Sequence, residues 1–163
     1  MIPAAPRFIV DLNVGRLARW LRVLGYDALF LPSGSDDDLI RVAWQQGRII
    51  LTKDRGLLQR RAVTRGPVRA LHVRSDDVWE QLQQVVGELG LEMRYLFCRC
   101  IECNEPLSPV ERQLVEGRVP PYVLQTQRQF MECLSCRRVY WKGTHWQNMQ
   151  AELSKVQTWP ASR

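Results

Sequence analysis

The chain has 163 residues, 45% hydrophobic and 25% charged, and carries a formal net charge of +6. That length supports one sizeable core, or one core with a small appendage, and the balance excludes a disordered or fibrous chain. No apolar run nears the ~20 residues that span a bilayer and no signal-peptide core is visible, so no membrane partner and a cytoplasmic location are expected, while the basic excess favours a polyanionic partner.

The first ninety residues alternate between two periodicities. Phe8–Val10 reads as a short apolar strand ending at Asp11. From Val14 to Leu24, Leu17, Trp20, Leu21 and Leu24 recur at helical spacing, and Gly25 marks the stop. A weaker strand, Asp27–Leu31, closes at Pro32-Ser33-Gly34, and a helix follows over Asp36–Gln46 with Gly47 as its stop. Ile49–Leu51 is the third strand, Gly56–Arg61 a short helix, Val68–Val73 the fourth strand and Asp77–Leu89 the last helix. Strands alternating with helices predict a mainly parallel four-stranded sheet covered by helices. After Leu91 the pattern gives way to cysteines, prolines and an aromatic-basic tail. The expected domains are 1–91 for the α/β unit and 92–150 for a second, smaller unit, with 151–163 a fraying tail.

Acids gather at the strand ends. In an open parallel sheet, ligands bind beyond the carboxyl ends of the strands. Asp11 follows strand one, Asp54 follows strand three, and Asp76 and Asp77 follow strand four. Within Asp36-Asp37-Asp38, Ser35 and Asp38 fit a capping box, and Asp37 stands four before Arg41 as an ion pair. Asp36 lies in phase with Leu39, Ile40 and Ala43, toward the buried side. Asp37 takes its place if the helix begins one residue later. Asp77 with Glu80 also fits a capping box, which competes with a role as a fourth acid. Carboxylates that converge repel one another unless a cation sits among them, and their oxygens suit Mg²⁺ or Mn²⁺. Such an ion activates water against a phosphodiester. Arg16, Arg19 and Arg22 on the first helix, with Lys53 and Arg55 beside Asp54, are the candidate phosphate contacts. Thr52 stands where its hydroxyl would orient a metal ligand or a water.

Cys100-x2-Cys103 and Cys133-x2-Cys136, separated by 29 residues, form a two-knuckle pattern. Four thiolates close a tetrahedral Zn²⁺ shell, so a structural site is expected, with Cys98 outside it as a small buried residue or a spectator at the knuckle. Redox use of the pairs is the competing reading. Beyond the second knuckle, Arg137, Tyr140, Trp141, His145 and Trp146 mix cations with rings, a composition that grips phosphates and stacks unpaired bases. A small ribbon also needs rings for its core, and about half of these are expected to serve it.

Asp11 followed by "DDDLIRVAWQQGRIILTKD" resembles the PIN-domain ribonucleases, with Asp36, Ala43, Gly47, Thr52 and Asp54 on the matching positions. "DLNVGRLARWLRVLGYDALF", "GRIILTKDRGLL" and the cysteine pairs followed by "YWKGTHW" are similar to the mut-seven C-terminal RNase domain over roughly residues 7–150. The resemblance implies an α/β fold, a PIN-like αβα sandwich followed by a small zinc ribbon. It also implies metal binding by Asp11, Asp36 and Asp54 and hydrolysis of RNA to 5′-phosphate and 3′-hydroxyl products. The expected partner is RNA, whether tRNA, another structured RNA or a single strand. An inhibitor protein and the oligomeric state stay open. The rival reading is a non-catalytic RNA- or protein-binding module with a degenerate pocket. An aspartyl-phosphate phosphatase is disfavoured because Asn13 stands where its second Asp would, and a phospho-receiver because Asp11 is alone at its strand end.

Overall fold

The computed structural model describes residues 5–93 and 96–157. Strands β1 (Phe8–Val10), β2 (Ala28–Phe30), β3 (Ile49–Thr52) and β4 (Ala70–His72) form a fully parallel sheet in the order β2-β1-β3-β4. Parallel neighbours need crossovers, and the sequence supplies helices for them. They are α1 (Gly15–Val23), α2 (Asp36–Gln46), the short pair α3 (Arg55–Leu58) and α4 (Arg61–Thr64), and α5 (Val78–Leu89) after β4. Successive strand residues enter opposite layers. Phe8, Val10, Ile49 and Leu51 pack with Leu17 and Leu21 of α1 and Leu82 and Val85 of α5. Ile9 and Ile50 pack instead with Leu39 and Ala43 of α2 and Leu57 of α3. Strands buried on both faces read as continuous apolar runs rather than alternating ones. The result is the expected αβα sandwich.

The ends of α2 follow its residues. Ser35 and Asp38 exchange the two bonds of a capping box, and Gly47 closes the helix in the left-handed region at φ 62°. Arg41 pairs with Asp38 at 2.8 Å rather than with Asp37. The capping box fixes Asp38 within reach of Arg41, and Asp37 is taken by Arg60 at the start of α4.

The second unit is an antiparallel sheet of β5 (Leu107–Val110), β6 (Phe130–Cys133) and β7 (Val139–Tyr140), in that order. The long insert between its cysteine pairs has a core of its own. A 3-10 turn at Arg112–Val115 and α6 (Pro121–Thr126) bring Val115, Val119 and Val123 onto Phe130. The last helix, α7 (Thr144–Gln157), crosses the boundary expected between residues 150 and 151. Met149, Leu153 and Val156 recur at helical spacing and join the core of α1 and α5, so residues 151–157 are helical and do not fray. The rest of the expected tail, 158–163, lies outside the described residues.

Polar bonds tie the two units together. Arg22 on α1, only 7% exposed, donates to the carbonyls of Ala28, Ile101 and Glu102. Asn104 accepts from Ala28 N at 2.9 Å and donates to Asp27 at 2.7 Å. Asp27 in turn pairs with Arg48, whose guanidinium also reaches the carbonyl of Phe8 in β1. Burial pushes the Asp27 pKa up, but the bonds from Arg48 and Asn104 outweigh it and hold the carboxyl below its usual range. Its contribution to stability is therefore present above the unfolded pKa of ~3.9 and lost as pH falls through the lower folded value. Arg48→Ala removes the ion pair and leaves the carboxylate with the Asn104 bond alone, and it takes one donor from the Phe8 carbonyl. Urea unfolding at pH 7 should show a loss of about 3 kcal/mol, the low end for breaking a buried pair, because Asp27 keeps 21% of its side chain in water. The variant should also lose this part of the acid-side dependence.

Candidate functional site

The chain passes from β1 to β2 on one side and from β2 to β3 over the other, so a crevice opens between β1 and β3 at their carboxyl ends. Asp11 sits there, its backbone N–H bonded to the carbonyl of Leu51 at 3.0 Å. Asp11 Oδ1 accepts from Leu12 N at 2.6 Å and starts a 3-10 turn over Leu12–Val14. Its Oδ2 accepts from Thr52 Oγ1 at 2.6 Å and from Asn13 Nδ2 at 2.9 Å. The Thr52 hydroxyl is fully buried and already accepts from Asp54 N at 2.9 Å, so its own proton goes to Asp11. Asn13 Oδ1 accepts from Lys53 N at 3.2 Å. Thr52 and Asn13 thus cross-link the ends of β1 and β3 and fix one carboxylate between them. The sequence offered Asn13 only as a missing acid; the signal for its role is an amide two residues after an Asp at a strand end.

Asp54 caps α3, its Oδ1 accepting from Gly56 N and Leu57 N at 2.7 and 3.3 Å. No hydrogen bond from a described residue engages Oδ2. Asp36, the first residue of α2, is half-buried, in phase with the buried Leu39 and Ala43, whereas the Asp37 side chain is 79% exposed and turned to Arg60. Of the acids at α2, Asp38 caps the helix as its spacing predicts, whereas Asp37 pairs with Arg60 and not with Arg41. Asp77 caps α5, accepting from Trp79 N at 2.9 Å and Glu80 N at 3.1 Å. The capping box expected there is incomplete, because Ser75 Oγ accepts from Asp77 N and binds Glu80. Asp76 pairs with Lys53. Asp11, Asp36 and Asp54 are not drawn into a group with ligand oxygens within 4.8 Å of one another; among the described residues the cysteines alone meet that separation.

Beside Asn13 opens a cleft of about 600 Å³, walled by Arg16 and Arg19 of α1, Phe30, Asp76, Gln81 and Glu102 of the first knuckle. Arg16 is exposed on its wall, and Arg19 reaches Glu102 at 3.1 Å. Arg22 was expected beside them as a phosphate contact. It is buried instead, because it lies one position from Leu21 on the inner side of α1 and spends its donors on three carbonyls. Arg55 is exposed in the first turn of α3.

The ligand atoms of Cys100, Cys103, Cys133 and Cys136 all lie within 4.8 Å of one another. A tetrahedral Zn²⁺ with Zn–S bonds of ~2.3 Å sets its sulfurs ~3.8 Å apart. Cys100 Sγ and Cys136 Sγ are 3.7 Å apart, too far for a disulfide and right for a shared ion. At Cys100 burial opposes ionisation, but bonds from the Tyr140 hydroxyl and the N–H groups of Cys103 and Glu102 outweigh it and lower the pKa to about 7. The Cys103 thiol is raised to about 12 by its bond to Cys136, by burial and by the charge on Cys100. Four sulfur ligands so close together suit a cation that binds them all as thiolates. Cys98 is outside the group and exposed, not buried. Its carbonyl accepts from Leu107 N at 2.9 Å.

Most rings of the tail have structural contacts. Tyr140 OH lies 3.1 Å from Cys100 Sγ, Trp141 packs on the Phe130 core, and Trp146 stacks on Phe97 with their centroids 5.3 Å apart. Lys142 lies over the Trp146 ring at 5.3 Å. His145 is exposed, and Arg137 pairs with the buried Glu132, which Arg118 also holds. No helix of the described residues is long and apolar enough to cross a membrane.

Comparison with known proteins agrees with this architecture. The chain is 38% identical over 108 residues to the human exonuclease mut-7 homolog, a match covering 63% of this chain and 12% of that much longer protein. No solved structure matches it significantly. The family model described as the Mut7-C RNAse domain matches residues 6–153, spanning both the sandwich and the cysteine ribbon, and the chain belongs to that nuclease-type family.

Proposed function

We propose that the protein is a metal-dependent ribonuclease, with Asp11, Asp36 and Asp54 holding Mg²⁺ or Mn²⁺ and the cysteine quartet holding Zn²⁺. The observation that carries this reading is the fixed carboxylate of Asp11 at the switch point of the sheet, bonded to the Thr52 hydroxyl that also receives the N–H of Asp54. Hard carboxylate oxygens fit Mg²⁺ or Mn²⁺, which bind through one or two such groups and keep several waters, so three acids spaced too far apart for direct closure still suit the ion. When bound, the ion activates water and stabilises charge on a phosphodiester. Thr52 and Asn13 set the orientation of Asp11, while Asp54 keeps Oδ2 turned from its cap. Arg16 and Arg19 supply positive charge on the wall of the adjoining cleft, and the family supports RNA as the polyanion they meet. Cysteine thiolates fit Zn²⁺ in a closed shell with a structural role.

A second reading, a binding module without turnover, is favoured by one observation, the absence of the three aspartates from any group with ligand atoms within 4.8 Å among the described residues. Incubating the purified chain with labelled RNAs, with Mg²⁺ or Mn²⁺ and with EDTA, separates the two. Metal-dependent products with 5′-phosphates are expected; binding without cleavage at any metal concentration supports the second reading. Thr52→Val keeps the shape of a buried side chain but removes the bond that orients Asp11. Calorimetric titration with Mn²⁺ should show affinity lower by about 10- to 100-fold, the usual cost of losing an outer partner of a ligand.

A further inference from the structure

The joint between the two units carries an unusual grouping of charge. Glu102, in the first cysteine knuckle, directs one oxygen, Oε1, at two arginines from different parts of the fold. Arg19 of α1 approaches it to 3.1 Å, and Arg138, just past the second knuckle, to 4.0 Å. Both arginines are well solvated, at 58% and 62% exposure, and Glu102 keeps a third of its side chain in water. The Arg22 strut bonds the backbone carbonyl of Glu102, and the carboxylate acts on Arg22 only through space, so neither Arg19 nor Arg138 is part of that strut. Arg19 and Glu102 also wall the cleft that reaches Asn13, the partner of Asp11.

We infer that Arg19 and Arg138 form a clamp for one backbone phosphate of a single-stranded RNA, and that Glu102 occupies the clamp in the free protein as a stand-in for that phosphate. The inference rests on the ribonuclease reading for its choice of polyanion. A carboxylate oxygen between two guanidinium groups marks a place where an anionic oxygen is already matched in charge, and arginine is the side chain best suited to phosphate. Because the pairs are exposed, the carboxylate is displaced at small cost when RNA arrives. The clamp sits on the joint, so a strand held there crosses from the ribbon into the cleft beside Asp11. Glu102 then acts as a specificity residue. It blocks weak or short anions, which cannot outcompete a tethered carboxylate, and yields to a strand held at further points.

The test reads binding rather than cutting, with a labelled single-stranded RNA and the full chain carrying Asp54→Asn. Glu102→Gln should tighten binding about two- to tenfold and steepen the slope of log affinity against log salt by ~0.7, one phosphate contact no longer offset by a carboxylate. Arg19→Ala and Arg138→Ala should each weaken binding and flatten that slope, and the gain from Glu102→Gln should vanish when both arginines are removed. Affinity unchanged or weakened by Glu102→Gln, with cysteine-bound metal and melting temperature retained, overturns the clamp and leaves Glu102 a structural clasp. A gain that persists without the arginines overturns it equally. Should Glu102→Gln lose its metal, the arginine variants decide, and full affinity in both rejects the proposal. RNA bound but never cut by the unsubstituted chain overturns the ribonuclease reading and spares the clamp; RNA cut, with no effect of Glu102→Gln on binding, does the reverse.

Discussion

Asp54→Asn should lower RNA cleavage by at least about a hundredfold while leaving RNA affinity unchanged or improved. The size follows from the position. Losing a partner one bond removed from a metal already costs up to about 100-fold, and Asp54 is proposed as a direct ligand. The choice of asparagine matters because Asp54 has two tasks. Its Oδ1 caps α3 through Gly56 N and Leu57 N, and asparagine caps as well as aspartate. Its backbone N–H to Thr52 is untouched. The substitution therefore removes one negative charge from the crevice and little else, and a melting curve that overlays the parent confirms this. Alanine would mix loss of the cap, worth ~1 kcal/mol, with loss of the ligand. Asp11→Asn is less clean, because both Asp11 oxygens already accept, from Leu12 N on one side and from Thr52 and Asn13 on the other. One amide N–H would then face a donor. Cleavage that survives Asp54→Asn with its metal dependence intact sinks the carboxylate mechanism.

The sandwich was legible because its local signals agree with its packing. Four apolar runs, the stop glycines Gly25 and Gly47 and the Ser35–Asp38 capping box each name one conformation, and the buried stripe of α2 fixes the phase of Asp36. The second unit was announced by its cysteine pairs, but its internal elements were not legible, for an equally physical reason. Its strands are very short, its buried core draws one residue each from a 3-10 turn, a loop, α6 and β6, and only the cysteine spacing announces it. α7 begins in the polar Thr144–Asn148 stretch, so its docking residues, Leu153 and Val156, look like the start of a frayed end. At the crevice, spacing places Asp11, Asp36 and Asp54 at the right edge but cannot say what each carboxylate bonds. Asp37 to Arg60, Asp76 to Lys53 and Arg22 to the knuckle carbonyls are contacts between segments more than twenty residues apart, which no local pattern encodes.

Removing the metal from the cysteine quartet should unfold the ribbon and, through it, loosen the sheet. About one Zn²⁺ per chain is expected, and Cys133→Ser or a strong chelator should release it. Structural zinc contributes of the order of 10 kcal/mol to the folding of small domains, and the ribbon's own core, Val115, Val119, Val123 and Phe130 with Val110, Leu124, Val139 and Trp141 half-buried against them, is too small to hold without it. The consequences should not stop at the ribbon. Arg22 Nε stays on the carbonyl of Ala28, but its Nη1 depends on the carbonyls of Ile101 and Glu102, and Asn104 supplies the acceptor for Ala28 N at the edge strand β2. Once the knuckle opens, Arg22 Nη1 and a strand-edge N–H lose their partners together, a cost of about 1–3 kcal/mol for each unsatisfied group. Hydrogen exchange should therefore accelerate at Ala28 and along β2 as well as through 98–141, while β3, in the middle of the sheet, exchanges last. The parent chain and Cys98→Ser, whose residue lies outside the quartet, should keep both metal and protection. Loss of metal with β2 exchange unchanged would mean that the Arg22 and Asn104 bonds carry no coupling between the two units.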